Sequence, residues 1–457
     1  MGVPVTAIFD IGKTNKKFFL FDADFAEVHR TYAQLPQTQD EDRHPTEDLP
    51  ALIAWMQETL KTALQSSAFE IRALNFSSYG ASLVHLDGSG QVLTPLYNYT
   101  KPYPPELEQA FYDQYGPQEA FWQATGSDRA GMLNSGLQLY WLKHRHPEVF
   151  GRIRTSLHLP QYLTYIFTGK AVSEFTSIGC HTALWDYRDK KYPNWVAAEG
   201  LETKLAPIVP HNTSYVVDLS GKELRVGIGI HDSSAALLPY LKSLGKPFVL
   251  LSTGTWSIAM NPFSDGPLSA RDIEADCIRY MQPDGSPVLA SRLFLGNEYK
   301  LQVRELNAHY GAGPEKHRNI GFSPELYRNV LRDFRPAFRW VSLPAGSCPE
   351  RTTFPHSTYE GAYHQLLYEL CLLQAGRIRH VIGDTGIRRV YVDGGFAANE
   401  VFMEILSQML RPVKLRTTDA SLGSALGAAV AVTGAPLHKG FLKEHYAMKK
   451  HKPLILS

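Results

Sequence analysis

Thr6-Ala-Ile-Phe-Asp-Ile-Gly-Lys-Thr-Asn-Lys-Lys-Phe-Phe-Leu-Phe21 reads as two apolar strands, Thr6–Asp10 and Phe18–Phe21, joined by a turn that contains Gly12. Strand, glycine turn, strand is a β-hairpin pattern and not the start of a strand–helix–strand unit. A second turn follows at Asp22-Ala-Asp24. The same form returns later as Phe248-Val-Leu-Leu251, the turn Ser252-Thr-Gly-Thr255 and the apolar run Trp256-Ser-Ile-Ala259. Two such hairpins predict an α/β protein of duplicated architecture, each half offering one turn able to grip phosphate.

Working outward, Ala51 to Leu64 has helical periodicity, with Leu52, Trp55, Met56 and Leu60 on one face. Arg72–Phe76 reads as a strand, and Ser82–Leu86 with Gln91–Leu93 as a hairpin around Asp87-Gly-Ser-Gly90. Helices are expected at Ser135–His144, Pro160–Phe167 and Thr358–Arg379, with a small-residue helix over Ala420–Val432. Val390-Tyr-Val-Asp-Gly-Gly395 reads as a strand ending in a glycine pair. The 457 residues exceed one compact core, so two domains of roughly 200 residues each are expected. Pro239, Gly245 and Pro247 punctuate the chain between Leu238 and Pro247. The expected division is therefore 1–240 and 246–435, with a C-terminal tail over 436–457.

Charge and composition exclude several classes. Hydrophobic residues make up 44% and charged residues 20%, a globular balance. The net charge of +1 and the lack of a basic block argue against nucleic-acid or anionic-lipid partners. Lys449-Lys450-His451-Lys452 reads as a solvated run near the end of the chain. The start, MGVPVTAIFD, lacks a signal-peptide pattern, and the Ser421–Val432 stretch is too short to span a bilayer. Cys180, Cys277, Cys348 and Cys371 form no C-x-x-C pair, and they read as reduced residues of a cytoplasmic protein. His181 adjoins Cys180, but no second ligand pair lies at metal-ligand spacing, so no structural zinc is expected.

Asp10-Ile-Gly12-Lys13-Thr14-Asn15-Lys-Lys17 is the strongest local signal. A glycine turn lets backbone N–H groups approach phosphate, Thr14 and Asn15 add side-chain donors, and Asp10 can hold Mg²⁺ directly or through water. The octapeptide alone also reads as a plain hairpin turn with a capped acidic residue. A P-loop is excluded, because Ala7 stands where its first glycine should be and a strand follows where a helix is needed. Thr253, Gly254 and Thr255 make the matching turn of the second half. Val392-Asp-Gly394-Gly395-Phe-Ala-Ala-Asn399 is either a close approach to nucleotide or a tight turn with Asn399 near a helix start. Gly227-Ile-Gly229-Ile-His231-Asp232-Ser-Ser-Ala-Ala places a carboxylate at a strand end. Asp232 is a candidate general base for phosphoryl transfer to a hydroxyl, or a helix N-cap; His231 could bind sugar hydroxyls.

In this order the motifs resemble the FGGY carbohydrate kinases, from residue 6 to about 432. The resemblance implies two actin-like domains of the ribonuclease H-like superfamily around a central cleft, with sugar held mainly by the first and ATP·Mg²⁺ mainly by the second. By motif it assigns the first phosphate loop to Asp10–Lys17 and catalysis to Asp232. Thr253–Thr255 become the second phosphate loop, and Gly394, Gly395 and Asn399 fall at the nucleotide. Ser78-Tyr79-Gly80-Ala81, His231-Asp232-Ser-Ser-Ala and Ser252-Thr-Gly-Thr-Trp-Ser257 are similar to segments of the rhamnulokinase-type deoxyketose kinases. Arg292-Leu-Phe-Leu-Gly-Asn297 resembles a segment whose Asn lies near ATP. The implied activity is phosphorylation of a small ketose such as L-rhamnulose or L-fuculose. Other ketoses or polyols, and an actin-like ATPase switch, are the alternatives, and a homodimer is left open. Three departures stand out: Gln138 where the broad family has Lys, Lys13 where Thr or Ser is usual, and Tyr97-Asn98-Tyr99-Thr100-Lys101 in place of an acidic sugar-contact segment. Asn98 and Lys101 are the candidate sugar contacts there.

Overall fold

Val3–Ile11 is buried on both faces from Val5 onward, as a central strand requires. It pairs antiparallel with Lys16–Phe21, which pairs with Glu27–Ala33, and parallel with Phe69–Ser78. Lys222–Gly227 continues the sheet beside Phe69–Ser78, Ser214–Leu219 closes that edge, and the short strand Ile230–His231 also pairs with Phe69–Ser78. The structure is a computed structural model, describing residues 2–332, 334–344, 349–419 and 422–451. The expected starting residue of the small-residue helix, Ala420, lies outside the described residues, as do Cys348 and Lys452.

A second sheet repeats the plan. Val249–Thr253 pairs antiparallel with Ser257–Asn261 and parallel with Arg389–Gly394, and Lys414–Thr417 lies beyond. Pro287–Leu293 and Cys277–Met281 complete its antiparallel side. In each half an antiparallel hairpin is followed by parallel strands, the duplicated α/β form that the two hairpins predict.

Period-two alternation divides each sheet between two cores. On the first sheet Ala7, Phe9, Phe18 and Leu20 face the helix Leu49–Gln65 through Leu52, Met56 and Leu60. Ile8, Phe19 and Phe21 point the other way, into a core shared with Leu250, Met260 and Tyr391 of the second sheet. Two helices run through that shared core: Asp232–Ser243, and Gly423–Thr433 with its run of alanines. Val249, Leu251 and Val392 face outward onto the long helix Tyr359–Ile382 and Glu400–Met409. The layers are helix, sheet, helix pair, sheet, helix.

The central helices approach closely. A Cβ on Gly427 would lie 1.9 Å from the Ala235 carbonyl oxygen, so glycine is required there. Pro239, expected to punctuate the chain, sits inside the helix Asp232–Ser243. Lacking an N–H, it leaves the Ala235 carbonyl without its usual helical donor, and that carbonyl turns to the Gly427 backbone. Asn75 ties the layers together: its amide donates to Ala428 O at 2.8 Å and accepts from Gly229 N at 3.0 Å.

Two further regions differ in detail from expectation. The stretch expected as a C-terminal tail, from 436, packs in part against the body as far as residue 451. Phe441 and Tyr446 are buried in the shared core, and the expected solvated run at Lys449–Lys450 is exposed but pairs with Lys414–Thr417 as an edge strand. Leu83–Leu86 does turn back at Asp87, but its main partner is the distant strand Thr155–His158. That pairing belongs to a mainly helical insert between Phe69–Ser78 and Lys222–Gly227, with its own core around Phe111, Trp141 and Trp195.

Candidate active site

The parallel strands of the first sheet end level with one another. Asp10 pairs with Ser77, Ile11 with Ser78, and His231 also with Ser78. Asp10, the Ser78–Ala81 turn and His231–Asp232 therefore leave one edge of the sheet, where α/β sheets bind ligands.

Asp10 is buried and accepts from Ser424 Oγ at 2.9 Å, while Lys17 Nζ lies 3.5 Å from its other oxygen. Burial raises its carboxyl; Lys17 and Ser424 oppose that, and the charge of Asp232 adds to it. Gly12 and Asn15 close the turn through a 3.0 Å backbone hydrogen bond, and Thr14 and Asn15 are exposed at its tip. Lys16, not singled out in the sequence, holds the turn from beneath. Its buried ammonium donates to Gly12 O and Lys13 O at 3.0 and 3.1 Å and pairs with Glu47 at 2.8 Å.

Asp232 begins the helix Asp232–Ser243. Its carboxylate accepts from Ser233 N at 2.6 Å, and its side chain keeps 34% of its surface open. Burial of its closed sides pushes its carboxyl up to about 6, against the pull of Ser233. His231 Nε2 lies 3.2 Å away, but burial lowers that imidazole to about 3, so the pair is not ionic. The His231 N–H donates to Thr176 Oγ1, whose hydroxyl is held by the buried Glu174 carboxylate at 2.6 Å. His231 Nε2 also meets Cys180 Sγ at 3.1 Å, and Gly80 abuts both.

The Ser78–Ala81 turn is fixed by Gln138, whose amide donates to Ala81 O and Met132 O, each at 2.7 Å. The departure from Lys thus carries a structural task. Lys13 lies 5.3 Å from the ring centroids of both Tyr79 and Tyr99, and Tyr99 feels the charge of Asp232. The buried hydroxyls of Tyr79 and Ser82 neighbour each other and meet no third partner. Asn98 and Lys101 do not join this group. Asn98 donates to Pro45 O at 2.8 Å and accepts from Thr100, and the Lys101 ammonium is 2.7 Å from both Asp40 and Asp42. The bonds they make fold the segment itself.

The second sheet offers a different edge. Thr253 pairs with Gly394, so the two turns leave side by side. The Thr253 hydroxyl donates to Asp393 O at 2.5 Å and accepts from Phe396 N at 3.1 Å, locking one turn to the other. Gly394 has φ +89°, and a Cβ there would lie 1.9 Å from Thr253 O. Thr255 O accepts from Gly296 N and Asn297 N, docking the turn on the N-terminus of Leu295–Tyr310; the Asn297 side chain reaches Ser342 Oγ at 3.1 Å. Asn399 caps the helix Glu400–Met409 and donates to Tyr363 OH at 2.8 Å. Gly254, Thr255, Gly296, Tyr299, Gly395 and Asn399 border a cleft of ≈ 1230 Å³, with Lys300, Arg304 and Arg318 also on its walls.

The sequence assigns no site role to Lys16, Glu47, Tyr99, Thr176 or Cys180. Its signals among these are the 97–101 segment that holds Tyr99 and the adjacency of Cys180 to His181; the partner of Cys180, His231, is distant in sequence.

Residues 5–231 match the N-terminal domain of the FGGY family of carbohydrate kinases, and residues 245–439 match its C-terminal domain. A rhamnulokinase of Halalkalibacterium halodurans is 24% identical over 262 residues, 54% of this chain and 52% of the relative, so the chain spans about half the length of that relative. A rhamnulokinase of Pectobacterium atrosepticum is 24% identical over 99% of this chain and 94% of its own length. A carbohydrate kinase of Novosphingobium aromaticivorans superposes with a TM-score of 0.81 at 25% identity, covering 99% of this chain and 95% of that one. A ligand-bound xylulose kinase of Lactobacillus acidophilus does so at 0.79, with 16% identity over 99% and 94% of the two chains, a likeness of fold. No helix among the described residues is long and apolar enough to cross a membrane. With both domains matched in order along the two-sheet, actin-like α/β architecture, the chain belongs to the FGGY family of carbohydrate kinases, phosphotransferases that act on sugars.

Proposed function

We propose that this chain transfers the γ-phosphoryl group of ATP to a hydroxyl of a small ketose, of the L-rhamnulose or L-fuculose type, with Asp232 as general base. The observation that carries the reading is the edge of the first sheet. There a half-open carboxylate with a raised pKa stands near a second, buried carboxylate and a pair of buried hydroxyls engaged with nothing but each other.

The sugar lies against the Ser78–Ala81 turn, where the Tyr79 and Ser82 hydroxyls keep hydrogen-bonding capacity beyond each other. His231, neutral and held by Thr176, presents a polar face without competing for the proton. Asp232 accepts the proton of the attacking hydroxyl; its raised pKa lies nearer to working pH than that of an ordinary aspartate, which favours general-base work. The residues present fit a nucleoside triphosphate: an open cleft with cationic walls, and backbone exposed at Gly395, where a Cβ would meet nothing within 4 Å. Asp10 fits a hard cation, and Gly12–Lys17 and Thr253–Thr255 would hold the phosphates. ATP supplies the phosphoryl group, and Mg²⁺ offsets its charge.

The xylulose kinase among the similar structures favours a second reading, a ketose without the deoxy position. Both readings meet the same test, a panel of L-rhamnulose, L-fuculose, L- and D-xylulose, L- and D-ribulose and glycerol with coupled ADP detection. ADP formation stimulated by one ketose supports the kinase and names its substrate. A basal ATPase indifferent to every sugar overturns it in favour of an actin-like switch.

A further inference from the structure

Three ligand-bearing side chains converge beside Asp232. One ligand atom each from Cys180, His181 and His231 lies within 4.8 Å of the other two. Cys180 and His181 follow the short helix Phe175–Ile178 of the insert, whereas His231 ends the first sheet, so no spacing rule joins them.

Both imidazoles are oriented from behind. His181 Nδ1 lies 3.3 Å from the Leu133 carbonyl, which can only accept, so Nδ1 carries the proton. Ser234 donates its one hydroxyl proton to Met281 O at 2.8 Å and can therefore only accept from His231 Nδ1, 3.3 Å away. Both Nε2 atoms keep their lone pairs. Rear hydrogen bonds of this kind fix metal-ligating histidines.

His231 Nε2 is 3.1 Å from Cys180 Sγ and 3.2 Å from Asp232 Oδ1. With bonds of about 2.0–2.3 Å, ligand atoms around tetrahedral zinc stand about 3.3–3.5 Å apart. These two edges are within a few tenths of an ångström of that spacing, and His181 lies within 4.8 Å of both Cys180 and His231. The nitrogen and the carboxylate oxygen are both acceptors, and the single thiol proton bridges sulfur and nitrogen only.

We propose that Cys180, His181 and His231 bind a thiophilic divalent cation of the Zn²⁺ class, with Asp232 or water completing the tetrahedron, and that occupancy takes Asp232 out of service. On binding, the Cys180 S–H bond breaks, a sulfur–metal bond forms and the proton leaves to solvent, with no change of oxidation state. Thiolate and imidazole select this class over Mg²⁺, which prefers oxygen ligands, so the site does not compete for the metal that accompanies ATP. The inhibitory half rests on the reading of Asp232 as base; the binding half does not.

The test titrates Co²⁺, a spectroscopic stand-in for Zn²⁺, into the metal-free full chain. A thiolate-to-Co²⁺ charge-transfer band is expected, displaced by Zn²⁺ and unaffected by millimolar Mg²⁺. It should vanish in Cys180→Ser and persist in Cys277→Ser, the control for the other cluster, Asp272, Cys277 and His380. His181→Gln, at a half-buried position suited to keeping the fold, should weaken Co²⁺ binding about tenfold or more. No band, or one that survives Cys180→Ser or is unmoved by His181→Gln, overturns the site. Stoichiometric Zn²⁺ should also stop ketose-dependent ADP formation, and EDTA should restore it. Zn²⁺ bound with that signature while turnover continues overturns the inhibitory half alone.

Discussion

The two sheets share one strand plan and expose different chemistry at corresponding edges. The first gathers titratable side chains, Asp10, Lys17, His231 and Asp232, around one turn. The second exposes mainly backbone, because its candidate side chains are already engaged: Thr253 ties two turns together and Asn399 caps a helix. One scaffold thus suits two tasks. A strand end with a buried carboxylate can move a proton, and a strand end with glycine can let a large anion come close. If this division holds, substitutions at the first edge should cost turnover and those at the second should cost nucleotide affinity.

The largest effect is expected from Asp232→Asn. It removes the proposed base and keeps the shape, so ketose-dependent turnover should fall about 10²–10⁴-fold while nucleotide affinity, read by calorimetry, stays unchanged. Near-normal turnover would deny the first edge its chemical role. Gly394→Ala attacks the other edge. Its Cβ would meet Thr253 O at 1.9 Å with φ at +89°, so a loss of about 1–3 kcal/mol in unfolding free energy is expected, together with weaker ATP binding. Gly395→Ala meets nothing within 4 Å and should leave stability within about 0.5 kcal/mol. Equal losses in the two variants would show that the backbone path at Gly394 is not what shapes this edge.

The pH profile tests the first edge without mutation. As the proposed base, Asp232 must be deprotonated, and burial pushes its carboxyl up to about 6. The value of kcat/KM should therefore level off above that point and fall about tenfold per pH unit well below it. A profile flat between about pH 5 and pH 7 would remove Asp232 as the titrating group.

How much of this was legible depends on whether the signal is local. The hairpins, the long helices and the glycine turns announce themselves as apolar runs and breakers. The division of labour among Lys13, Lys16 and Lys17 does not, because three lysines in one short run look alike. Register decides it: Lys16 shares the outward face of Phe18 and meets Glu47, and Lys17 shares the inward face of Phe19 and meets Asp10. Similarly, the partner of Leu83–Leu86 lies far along the chain, and Pro239 is tolerated in a helix because Gly427 packs against the carbonyl it frees. Cys180 and His231 meet only after the insert folds onto the end of the first sheet.

Asn98 marks the smallest expected effect and the sharpest limit on the sugar edge. The family resemblance directs attention to Tyr97–Lys101, but Asn98 donates to Pro45 O and accepts from Thr100 N at 3.1 Å, which are the bonds of a folded turn. Asn98→Ala should cost about 1–2 kcal/mol of stability through those lost bonds and leave the KM for the ketose unchanged. Tyr79→Phe should do the reverse, since the hydroxyl it removes engages only its neighbour Ser82. Should Asn98→Ala raise KM with stability intact, the sugar edge extends from Tyr79 across to the 97–101 segment, and the turn must reopen when substrate binds.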